Sequence, residues 1–286
     1  MKRHAFALLV TLAAISCSRG EPGSKAAAPV SAAPTVHIVA IGDLHGDLDV
    51  TRRALRLAGA IDPSDHWSGS SLTLVQTGDT IDRGDDDRAV LDLLDRLRGE
   101  AARAGGALIA LCGNHEVMNV GGDLRYVSAK SAAAFPDRAQ AFAPGAPYAR
   151  LLANWPVIAK VGDTLFVHGG VLQQHVRYGI DAINRETSAW MRGERPAPSV
   201  LMQEDAPIWT RLYSSDPDAA ACVQLDSVLH ALGAARMVVG HTPQSHGISA
   251  ACSEKVWRID TGMSHVFGGP LQVLEIEAGR VRVRSE

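Results

Sequence analysis

The sequence predicts an α/β fold assembled from βαβ units, and three observations carry that expectation. Runs rich in Val, Ile and Leu recur at 37–41, 72–77, 107–112, 164–167 and 237–239, each closed by glycine or histidine as buried strands are. Segments with helical spacing lie between them: 47–60 with Val50, Leu55 and Leu57 on one side, 86–104 with Val90, Leu91, Leu94 and Leu97, and 225–235. Asp47 and Asp86 stand where acids favour a helix N-terminus. Metal-binding side chains follow the strand ends at once, which is the third observation. In an open α/β sheet the carboxyl ends of the strands form one rim where ligands bind, so residues scattered along the chain would converge there.

The elements then read in order. The first run precedes Gly42-Asp43-Leu44-His45-Gly46, the second Gly78-Asp79-Thr80-Ile81-Asp82-Arg83-Gly84, and the third Gly113-Asn114-His115-Glu116. The fourth precedes His168-Gly169-Gly170 and the fifth Gly240-His241. Residues 118–147 and 185–205 interrupt the rhythm and read as cap or wall elements, because insertions at a ligand-bearing rim carry substrate selection. After His241 the pattern changes to alternating runs at 255–260, 271–276 and 280–284, the last two meeting across Ala278-Gly279, so the fold is expected to close with antiparallel strands.

A chain of 286 residues with 46% hydrophobic and 21% charged residues suffices for one large globular domain. The formal charge of -3, with no basic block, excludes electrostatic capture of nucleic acid as its business. Lys2-Arg3 precedes an uncharged stretch from Ala5 to Ser16 and then Cys17, the pattern of a secretory signal too short to remain as a spanning helix. Ala14-Ile15-Ser16-Cys17 also resembles a bacterial lipoprotein cleavage site, with Cys17 as the lipid-bearing residue that would attach the protein to a membrane. Residues 18–35, built of Ala, Pro, Ser and Gly, read as a flexible tether. The expected organisation is therefore a signal at 1–17, a linker at 18–35 and a folded domain at 36–286, in an exported, periplasmic protein. Export permits a disulfide, and Cys222 with Cys252 is the fitter pair because Cys112 sits at a strand end beside the rim.

Asp, His and Asn donors without a cysteine cluster favour divalent metals of intermediate hardness, Mn before Fe or Zn. Two aspartates, three histidines and an amide exceed one tetrahedral ion and suit two ions sharing a bridge. Such a pair binds phosphoryl oxygens and holds a hydroxide between the ions, poised to attack phosphorus directly. Adjacent side chains rarely serve one ion, so with Asn114 a ligand His115 becomes the general acid, oriented by Asp82. Arg83 offers a planar fork to phosphate oxygens. Glu116 reads as an acceptor that holds the rim loops, and 85–87 as a solvated helix start. His37, His66, His175, His230, His246 and His265 have no evident partner and read as structural or solvent-facing. Arg125 and Tyr126, in the insertion, could touch substrate, with surface or core packing the preferred reading.

These motifs, in this order and covering about 36–269, resemble those of the phosphoprotein phosphatase branch of the metallophosphoesterases. Gly122-Asp123-Leu124-Arg125-Tyr126, Pro207-Ile208-Trp209-Thr210-Arg211 and Ile259-Asp260-Thr261-Gly262-Met263-Ser264 are most similar to the Shewanella-like protein phosphatases. The resemblance implies a calcineurin-like β-sandwich flanked by helices, with the domain at 36–286. It implies Asp43, His45 and Asp79 on one metal, and Asp79, Asn114, His168 and His241 on the other. Arg83, Asn114 and Arg211 would bind the substrate phosphate, and His115 with Asp82 would form the acid pair. The implied activity is that of a metal-dependent phosphomonoesterase, a protein phosphatase for phosphotyrosine, phosphoserine or phosphothreonine. The same ions could serve a phosphodiesterase or a dinucleotide polyphosphate hydrolase, and a non-catalytic phosphate- or metal-binding lipoprotein is the reading from another class. Cys112 stands where the eukaryotic serine/threonine phosphatases carry arginine.

Overall fold

In the computed structural model Met1 and residues 36–286 are described, so the signal, Cys17 and the tether lie outside the described residues. The first strand, β1 (Ile38–Ile41), is followed by α1 (Leu48–Leu57), β2 (Thr73–Gln76), α2 (Asp87–Arg103) and β3 (Ala107–Ala110). Strands β1, β2 and β3 pair in parallel, as two βαβ units require. Asp47 caps α1 by accepting from the Val50 N–H at 3.0 Å.

The insertion at 118–147 is helical: α3 (Asn114–Val120), α4 (Ala129–Ala133), α5 (Arg138–Phe142) and α6 (Pro147–Leu152). Then come β4 (Ile158–Val161), β5 (Thr164–Val167), α7 (Gln173–Tyr178), α8 (Ile180–Met191), α9 (Ala219–Leu232) and β6 (Arg236–Val239). The chain ends in β7 (Ser249–Ala251), β8 (Val256–Arg258), β9 (Gln272–Glu277) and β10 (Arg280–Ser285). Helix α9 begins six residues before the expected 225, because Asp218 caps it through the Ala221 N–H. Among the described residues no helix is long and apolar enough to cross a membrane.

The strands divide into two sheets, the β-sandwich that the resemblance implies, in the orders β10-β9-β1-β2-β3 and β4-β5-β6-β8-β7. The period-two alternation of strand side chains explains why both faces are apolar. Ile38, Ala40, Val75, Leu274 and Ile276 of the first sheet pack against Phe166 and Val238 of the second, forming the sandwich interior. Val39, Ile41, Leu74 and Leu108 point the other way, into the larger core with α1 and α2. The closing expectation holds for β9 and β10, a hairpin across Ala278-Gly279. It holds for β8 on one side only, antiparallel with β7, a strand of three residues too short to be legible in sequence, while the other side pairs in parallel with β6. Cys222 and Cys252 form a disulfide tying α9 to the β7–β8 turn, and Cys112 is buried and free.

Candidate active site

The loops leaving β1, β2, β3, β5 and β6 turn toward one another at the carboxyl ends of the two sheets. They do so through unusual backbone: His45, Asp79, Asp82, Arg83 and His241 all have φ between +48° and +71°. Such conformations cost of order 1–3 kcal/mol for non-glycine residues and gather at functional sites. Close approach is also required, since a Cβ on Gly78 would lie 2.6 Å from the Gly113 nitrogen. Glu116 binds these loops together, accepting the N–H groups of Asp79, Thr80 and Gly113 at 2.8–2.9 Å.

All six expected donors meet here. His168 Nε2 is 2.9 Å from Asn114 Oδ1, 3.1 Å from His241 Nδ1 and 3.3 Å from Asp79 Oδ2. His45 Nε2 is 3.9 Å from both Asp43 Oδ2 and Asp79 Oδ2. Asp79 thus belongs to two donor groups of metal-binding size, one with His45 and His115, the other with His168 and His241. The far ring nitrogens face backbone carbonyls: His168 Nδ1 to Thr77 at 3.0 Å, His241 Nε2 to Trp209 at 3.1 Å, and His45 Nδ1 to Ile81 at 3.4 Å. Donation there leaves the inward nitrogen a bare lone pair, the arrangement of metal-ligating histidine. Burial lowers His45 to about 4 and pulls His241 well below the ordinary value, keeping both imidazoles neutral. Burial, with Asp260 and Asp79 alongside, pushes Asp43 well above the carboxylate range. Neutral imidazoles and crowded carboxylates are a donor set that divalent cations fit.

His115 points differently. Its Nδ1 is 2.8 Å from Asp82 Oδ2, while its Nε2 is 3.7 Å from Asp79 Oδ2. Burial alone would lower its pKa, but the carboxylates of Asp79 and Asp82 outweigh that and raise it. Asp82 is in turn held by Asn119 Nδ2 and Arg138 Nη2, each at 3.0 Å.

Residues 36–245 match the model of the family described as Calcineurin-like phosphoesterase. The chain belongs to the calcineurin-like phosphoesterases. Shewanella-like protein phosphatase 2 of Arabidopsis thaliana is 36% identical over 291 residues, spanning 84% of this chain and 74% of the relative. Shewanella-like protein phosphatase 1 of Plasmodium berghei is 32% identical over 242 residues, 79% of this chain and 67% of that one. The crystal structure of a cold-active protein-tyrosine phosphatase from a psychrophilic Shewanella species has a TM-score of 0.73 at 28% identity, covering 87% of this chain and 77% of that chain. The protein is accordingly a metal-dependent phosphatase of calcineurin-like fold.

The phosphoesterase site opens through a cavity of about 160 Å³ lined by His45, Asp79, Asn114, His115, His241 and Asp260, with Arg83 and Arg211 at its walls. Arg211 Nη1 donates to the His241 carbonyl and to Thr242 Oγ1, both at 2.7 Å. Tyr126 corrects the sequence reading: its ring lines the cavity beneath the Arg83 guanidinium, 4.3 Å from its centroid, and 5.1 Å from the His115 ring. Arg125 does remain at the surface, paired with Asp123. Trp209, Pro243 and Phe267 complete an apolar wall that no spacing rule announced. Asp87 corrects the reading of 85–87 as solvated, for it is fully buried, accepts the Asp82 N–H at 3.0 Å and lies 2.7 Å from Arg138 Nη2 as an ion pair. His37, His66 and His265 do have partners, the carboxylates of Glu275, Glu100 and Asp47.

Proposed function

We propose that this phosphatase is a two-metal phosphomonoesterase that dephosphorylates proteins, phosphotyrosine included. The observation that carries the reading is the position of Asp79 in both donor groups with the His115–Asp82 pair directly beside them. Asp43, His45 and Asp79 would hold one divalent cation, and Asp79, Asn114, His168 and His241 the other, with Mn preferred to Fe or Zn. When bound, the cations supply Lewis acidity toward phosphoryl oxygens and activate the nucleophile.

The chain's own residues do the rest. Asp82 accepts the Nδ1–H of His115, which fixes the ring and leaves a proton on Nε2 to pass to the departing oxygen. Arg83, stacked on Tyr126, and Arg211 offer planar forks to the remaining phosphate oxygens, and the Asn114 amide faces the same cavity. Tyr126, Trp209 and Phe267 present ring faces to whatever carries the phosphate, which supports an aromatic acceptor. The likeness to a Shewanella protein-tyrosine phosphatase supports the same acceptor. We also propose export to the periplasm, with Cys17 as the lipid attachment point, on the strength of the signal-like sequence at 1–17.

The manganese-reconstituted full chain is expected to hydrolyse phosphotyrosine peptides and p-nitrophenyl phosphate, and to turn over bis(p-nitrophenyl) phosphate far more slowly. Folded, metal-loaded protein that prefers the diester, or cleaves neither, would overturn the proposal.

A further inference from the structure

We propose that Asp260 is a carboxylate of the cation site, supplying charge to the metal position that Asp43 and His45 hold. This rests on the two-metal reading above and adds a residue to it.

Asp260 comes from a strand end of its own. The Ile259 N–H still bonds the Val239 carbonyl at 2.9 Å, so Asp260 leaves the sheet next to His241, at the same rim as the other donors. Gly42 packs directly on the Ile259 carbonyl, and a Cβ at Gly42 would lie 3.1 Å from the Asp260 Cα. The Asp260 backbone therefore packs against the residue that begins the Asp43 loop. It is only 2% exposed and lines the catalytic cavity.

Its two oxygens are treated differently. Oδ1 accepts the Gly262 N–H at 2.8 Å, which is all that a turn requires. Oδ2 is buried with no hydrogen-bond partner among the described residues. The other buried acids of the site are served: Asp79 Oδ1 by the His115 N–H, Asp43 by the His241 N–H, Asp82 by Asn119 and Arg138, and Glu116 by three backbone N–H groups. The Arg211 guanidinium, which lines the same cavity, makes no hydrogen bond to Oδ2, its Nη1 donating to the His241 carbonyl and Thr242 Oγ1. A buried ionised carboxylate oxygen without a donor is strongly disfavoured unless a proton or a cation answers it. Carboxylates placed around metal ligands in this way typically change metal affinity 10- to 100-fold when removed.

The test compares the full-length wild type with Asp260→Asn, both stripped by chelator, by calorimetric titration with manganese chloride, elemental analysis and thermal melting. Asparagine keeps an acceptor for Gly262 and removes the charge. The expected result is two manganese ions bound by the wild type, and in the variant one of them weakened about 10- to 100-fold, with the metal-free melting temperature unchanged or raised. If the variant binds both ions as the wild type does, or its metal-free form melts lower with no change in affinity, Asp260 is a turn residue only and the inference falls. If the wild type itself takes up no manganese, zinc or iron, the two-metal reading falls as well. Asp260→Ser, which also retains a hydroxyl acceptor, repeats the comparison should the amide variant not fold.

Discussion

His115 is held in a way that separates it from the candidate ligand histidines His45, His168 and His241. Their outward nitrogens face carbonyl oxygens, whereas its Nδ1 faces the Asp82 carboxylate, and its pKa is raised where those of His45 and His241 are lowered. Replacement by asparagine is therefore expected to preserve the metal content and to slow turnover of poor leaving groups, such as alkyl phosphates, by about 10²–10⁴-fold. The loss on p-nitrophenyl phosphate should be much smaller, and a leaving-group series measures the difference. Equal losses across the series would remove His115 from the acid role. This residue was legible in the sequence because chemistry constrained it locally: Asn114 and His115 are neighbours, so one ligand excludes the other. Tyr126 was not legible, because its contact with Arg83 depends on a loop path that no periodicity encodes.

At the scale of elements, the insertion at 118–147 does more than wall the cavity. Its helix α5 delivers Arg138, buried between the rings of Phe135 and Phe142, into the heart of the acid pair. There it bonds Asp82, Asn119 Oδ1 at 2.9 Å and Ser131 Oγ at 2.8 Å, and pairs with Asp87. Arg138→Met would leave Asp82 and Asp87 buried without their cation, and breaking such a pair from one side costs about 3–5 kcal/mol. Urea denaturation of the variant is expected to show that loss, together with reduced kcat on poor leaving groups as Asp82 loosens. Unchanged stability would mean that the network is not a working ion pair. A single arginine among alanines reads in sequence as a solvated helix face, so nothing local marked it. The strand-end signal could have found Asp260, which follows β8 as Asp43 follows β1, but the strand is short and glycine does not intervene.

For the molecule as a whole, stability should depend on pH through a buried histidine that is not among the metal donors. His175 is buried at the start of α7, its Nδ1 accepting the Leu172 N–H at 3.0 Å and its Nε2 without a partner. Burial lowers its pKa from 6.5 to about 4. As pH falls from 6.5 toward 4 the unfolded chain takes up this proton and the folded chain does not, so stability is lost across that window and constant below it. The contribution is about 3 kcal/mol at most. Urea midpoints should therefore drop between pH 6.5 and 4, and drop less in His175→Gln; identical pH dependence in both proteins would refute this.

The chain by itself determined its α/β class, the order of its main strands and the set of donors, because strand burial, glycine turns and ligand chemistry are written within a few residues of one another. Five strand-end motifs sufficed for that. Only the tertiary structure decided that β8 joins β6 in parallel, and that Arg138, Tyr126 and Asp260 close on the same site. Those outcomes rest on contacts between residues far apart in sequence, where packing and buried charge, rather than local periodicity, select the partner.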